Sequence, residues 1–164
     1  MNAWEIHHRR TAALGDVITV VDAGADLPWS DDLAEVFGDR AGLLVELHGL
    51  FARRVTGRIE LALDLHDLPG ASVAEAWQAV VAELPGVHRT LQAYADEPAL
   101  ARPVANLHRT VAVAVGLAAL DAPLAIAADA GRAFVANAAH IDIPARRDGW
   151  LRERLSYRLM KATA

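Results

Sequence analysis

DRAGLLVELHGLFARRVTGRIELALDLHDL, residues 39–68, repeats apolar side chains at the helical period along its whole length. At about 100° per residue, Leu44, Leu47, Phe51, Val55, Ala62 and Leu65 share one wide arc. Asp39 stands where an N-cap belongs, and Pro69-Gly70 follows as a break. The spacing predicts one long helix from Asp39 to about Leu68, with an inward face that needs partners.

Those partners are readable on both sides. Asn2 and Glu5 form a capping box, and Trp4, His7, Thr11, Leu14, Ile18 and Val21 follow at spacings of three and four, with Gly24 as the stop. Ser30 caps a short helix ending before Gly38. Ser72 with Glu75 reads as a second capping box, opening a helix through Val73, Trp77, Val80 and Leu84. Pro85-Gly86 separates it from a shorter helix carrying Val87, Leu91 and Tyr94. A further helix runs from Asp96-Glu97-Pro98 toward Leu120, with Pro103 at a kink or in its first turn, and another follows Asp121 and Pro123 through Phe134 to Ala138. Asp148 caps a last amphipathic helix, 148–162, with Trp150, Leu151, Leu155 and Leu159 on one side. The expected fold is all-α: a single-domain antiparallel bundle of about six to eight helices over residues 1–164.

Composition narrows the chemistry. The chain has 164 residues, no cysteine, one lysine (Lys161), three serines and seven histidines. Ser30 and Ser72 are placed to cap helices, and Lys161 is close to the terminus, so covalent nucleophilic catalysis has few candidates. Hydrophobic residues make up 54% and net charge is −5, so no global positive charge draws nucleic acid or anionic lipid. The most apolar run, Val111 to Ala128, is interrupted by Asp121 and Pro123 and rich in alanine, which fits two buried helices better than a membrane span. The N-terminus lacks the basic-then-apolar layout of a signal peptide, so the expected setting is cytoplasmic.

Imidazoles and guanidiniums on apolar faces carry what functional signal there is. Arg58 falls near the middle of the long helix's arc and Arg54 on the same side. A guanidinium stays charged at any working pH, so Arg58 must meet a carboxylate, line a wet pocket or hold an anionic ligand. His48 flanks the same arc beside Leu44 and Phe51, His7 lies on the first helix's apolar arc, and His108 flanks Val104 and Val111. His48 and His66 share a face, but at about 1.5 Å rise per residue they are roughly 27 Å apart. The expected site therefore has His48, His7 and His108 as acid–base candidates and Arg58, Arg54 and Phe51 as ligand contacts. One Glu-x-x-His, Glu5 to His8, occurs without a second copy, so no metal centre is assigned and no cofactor is named by the sequence.

The leading expectation is a bundle, as a homodimer, that binds a small molecule in a mainly apolar pocket, and could transform it by non-covalent acid–base chemistry. The alternative is a structural or protein-interaction bundle in which Arg58 and the histidines satisfy buried polar contacts. A weaker one is a helix-turn-helix regulator using the 72–94 hairpin, whose second helix offers His88 and Arg89 among Glu75, Glu83, Asp96 and Glu97. Gly42, Gly49 and Gly57, on one face of the long helix, suit close helix–helix approach and do not form a phosphate loop.

Overall fold

A computed structural model describes residues 2–65 and 69–138. These form seven α-helices and one 3₁₀ turn, with no strand among the described residues. The helices are α1 (Ala3–Asp22), α2 (Asp31–Phe37), α3 (Arg40–Leu65), α4 (Pro69–Glu83), α5 (Pro85–Ala93), α6 (Ala101–Ala114) and α7 (Leu124–Asn137); the 3₁₀ turn Pro98–Leu100 leads into α6. The all-α reading is thereby established. The 148–162 helix expected from sequence lies outside the described residues. No described helix is long and apolar enough to cross a membrane.

Local chemistry places most boundaries. The capping box at α1 is complete, with the Glu5 amide donating to Asn2 Oδ1 at 2.9 Å and the Asn2 amide to Glu5 Oε2 at 2.8 Å. Gly24, at φ +98°, ends that helix with bonds from the Gly24 and Ala25 amides to the Val21 and Val20 carbonyls. Ser30 caps α2 through the Leu33 amide, and Asp39 caps α3 through the Gly42 amide at 2.7 Å.

Two boundaries differ from the sequence reading. α4 begins at Pro69, so Ser72 is a buried residue within its first turn and not the cap. A proline's missing N–H has no intrahelical partner at a helix start, so Pro69 opens the helix where a break was expected. α6 ends at Ala114, well before Leu120. Gly116, at φ +75°, closes it in a Schellman motif, with the Leu117 amide donating to Ala112 and the Gly116 amide to Val113.

The core is built on α3. Leu43, Leu44, Leu47, Phe51, Val55 and Ile59 form its buried stripe, and α1, α2, α4, α5, α6 and the 3₁₀ turn all pack against this helix. α7 packs on α6. Of the three glycines expected at close approaches, Gly42 makes one: a side chain there would strike the carbonyl of Phe37, the last residue of α2. One at Gly49 would meet only the Arg53 side chain of its own helix, and one at Gly57 open space. Two further interhelical approaches occur at Gly86, against the backbone of Val21 and Asp22, and at Gly131, against the backbone of His108.

These glycines give a paired prediction. Gly131→Ala forces a methyl group into the α6 backbone and should destabilise the protein by about 1–3 kcal/mol. Gly57→Ala meets nothing and replaces a poor helix former, so it should stabilise by about 0.5–1 kcal/mol. Urea unfolding of both variants checks the sign of each change.

Candidate functional site

Two imidazoles lie inside the bundle. His48 on α3 is 5% exposed and His108 on α6 is 9% exposed. His48 Nε2 and His108 Nδ1 are both fully enclosed, and neither has a hydrogen-bond partner among the described residues. Helical phase explains their burial: His48 sits between Leu44 and Phe51 on the α3 stripe, while His108 lies between Leu107 and Val111 on the inward face of α6. Gly131 lets the α7 backbone lie directly against that of His108, which fixes where its side chain starts.

Aromatic rings link this pair to a third imidazole. The Trp77 ring of α4 lies 6.2 Å from His108 and meets Phe51 edge-on at 5.4 Å. Phe51 in turn stacks with His88 of α5 at 5.8 Å. His88 and Trp77 were not singled out as site residues from sequence. The clue for His88 was present: Leu84, Val87, His88 and Leu91 stand at i, i+3, i+4 and i+7.

Burial keeps these imidazoles neutral. Desolvation lowers the pKa of His48 and of His88. His108 is pushed down to about 4, by desolvation first and then by the positive fields of Arg132 on α7 and of His48. At neutral pH the rings therefore keep a free lone pair, able to accept a hydrogen bond. A base titrating near pH 4 is poorly matched to proton abstraction at pH 7. The arrangement favours recognition over proton transfer.

The other sequence candidates do not join this centre. His7 was expected on a covered arc, but it is exposed, and its ring neighbour is His8 at 6.0 Å. Among the described residues nothing covers the first turns of α1: Trp4 is 69% exposed, and full burial begins only at Val17. Arg58 was placed in the middle of the α3 arc, yet its side chain is 47% exposed. Its guanidinium lies at the protein surface. There it donates to Glu83 Oε2 of α4 at 2.6 Å, and Arg54 meets the other oxygen of the same carboxylate at 3.3 Å. The two guanidiniums hold the Glu83 carboxyl below its ordinary value. Arg58 and Arg54 thus form a surface clamp between α3 and α4, of a kind usually worth about 0.2–1 kcal/mol per pair. Phe51 alone of the expected ligand contacts stands beside the imidazoles.

An open groove lies elsewhere, between α1 and α2, floored by Val17, Val20, Leu33 and Val36. No group of three or more potential metal ligands occurs among the described residues. The 72–94 hairpin is built into the core. α5 buries Val87, Thr90 and Leu91, and Arg89 donates to the Val21 carbonyl.

The neutral, buried state of His108 makes stability depend on pH. The unfolded chain takes up a proton as pH falls through about 6.5, whereas the folded ring does so only near 4. Stability is therefore full above pH 6.5 and is lost progressively down to about pH 4. Between pH 7.5 and 5, the His108 share of that loss should be on the order of 2 kcal/mol. Urea midpoints of the wild type and of His108→Gln at both pH values measure it. The variant should lose that much less stability over the same interval.

Comparison of the chain with protein-family models, with curated proteins and with solved structures finds no match.

Proposed function

We propose that this chain is a small-molecule-binding bundle whose ligand is held at the His48–His108 centre. The observation that carries the reading is the pair of enclosed ring nitrogens without partners. An unsatisfied buried polar atom costs about 1–3 kcal/mol, and leucine would fill either position without that cost. A purely structural role would need the contacts that satisfy these atoms. That role suits Arg58, which has its carboxylate, and fits the two imidazoles poorly.

The ligand's chemistry follows from the surroundings. Neutral imidazoles offer one acceptor and one donor each. Burial opposes any charged ligand, and Phe51 and Trp77 supply apolar walls. A small uncharged molecule ending in a hydroxyl or amide meets these conditions. The depressed basicity of His108 favours binding without turnover.

Ring ¹⁵N resonances of the histidines report directly on such contacts. Titration with ethylene glycol and acetamide at pH 7 should shift the His48 and His108 signals and leave those of exposed His7 and His8 in place. His108→Leu should abolish the His48 shift while raising the melting temperature, because it removes an unsatisfied buried atom. If neither probe moves either ring, and the variant is merely more stable, the imidazoles are packing residues and the reading fails.

A further inference from the structure

The stretch of chain from α1 to the start of α3 concentrates one sign of charge. Between Arg10 and Arg40 the chain has seven carboxylates (Asp16, Asp22, Asp26, Asp31, Asp32, Glu35 and Asp39) and no lysine or arginine. The groove between the two helices has an apolar floor of Val17, Val20, Leu33 and Val36, with Asp16 and Asp32 at its rim. Neither rim carboxylate has an ion-pair partner among the described residues. The groove's cation, Arg9, is held by Glu35 at 2.6 Å. An acidic rim around an apolar floor fits a basic amphipathic helix, apolar side down.

The chain's own sequence contains that pattern. Residues 146–161 carry Arg146, Arg147, Arg152, Arg154, Arg158 and Lys161 against Asp148 and Glu153, interleaved with Trp150, Leu151, Leu155 and Leu159. We propose that the α1–α2 groove receives this C-terminal segment from a second copy of the chain. Topology selects the second copy over the same one. The described chain ends at Ala138, whose carbonyl accepts from Gln78 of α4. α7 packs on α6, whereas α1 packs on α2, α3 and α5, α2 packs on α1 and α3, and neither makes substantial contact with α6 or α7. Residues 139–147 span at most about 30 Å when fully extended, a short tether between helices that make no substantial contact with one another. A partner's segment is not bound by that tether. A two-fold axis makes the exchange reciprocal, so each groove is filled once and the contact area doubles.

Cysteine cross-linking of the full chain is clean here, because the wild type contains no cysteine. V20C protein mixed with L155C protein and a short bis-maleimide should give a covalent dimer. T110C, on the exposed side of α6, mixed with L155C should give at least tenfold less. D16R/D32R in the V20C chain should lower the yield about tenfold. A V20C/L155C double variant that links only within a monomer would overturn the proposal in favour of the same chain's segment. Equal linking to T110C, no linking, or a monomeric mass at cross-linking concentrations would overturn it outright. The outcome is independent of whether the imidazole centre binds a ligand.

Discussion

Everything in the bundle is arranged around the buried stripe of α3. Six of the other elements lean on Leu43, Leu44, Leu47, Phe51, Val55 and Ile59 or their neighbours on that helix, and α7 is held through α6. A 26-residue helix is about 39 Å long, so no single partner can cover it. Shorter helices cover successive lengths of it. His48 lies on this stripe among leucines, so the imidazole is buried because the fold buries α3. The polar interior is a consequence of the packing constraint, not an addition at the surface.

That placement sets two requirements against each other. Packing asks for an apolar side chain at positions 48 and 108, whereas both carry a ring with a nitrogen left unsatisfied. The conflict concentrates where α3, α4 and α6 meet, with Trp77 and Phe51 bridging toward His88. Local disagreement between packing and polarity inside an otherwise consistent fold is where function is expected. The exposed Arg54–Glu83–Arg58 clamp shows no such conflict, since every charge there has a partner and access to water.

Periodicity and capping made most of the helices legible. Asn2–Glu5, Ser30 and Asp39 act through bonds one helical turn long, which sequence spacing describes well. His48 and His108 were likewise readable, because helical phase alone puts them inward. What failed depended on partners. The phase of α1 predicts which face His7 lies on but not that this part of the face stays exposed. For Arg58 the helical phase alone gives no sign of the α4 carboxylate that holds its guanidinium at the surface. Gly131 gave no local sign, since its role is set by the backbone of a different helix. Ser72 was misplaced because two start signals, Pro69 and the Ser72–Glu75 pair, lie three residues apart and only one is used.

In the working protein the enclosed nitrogens of His48 and His108 are proposed to hold a bound partner. A crystal structure of the full chain at neutral pH, at a resolution that distinguishes ordered water from an organic molecule, tests it most directly. Discrete density of a small molecule is expected within hydrogen-bond distance of both His48 Nε2 and His108 Nδ1. Rings packed dry against carbon, or satisfied by a single water, would contradict it.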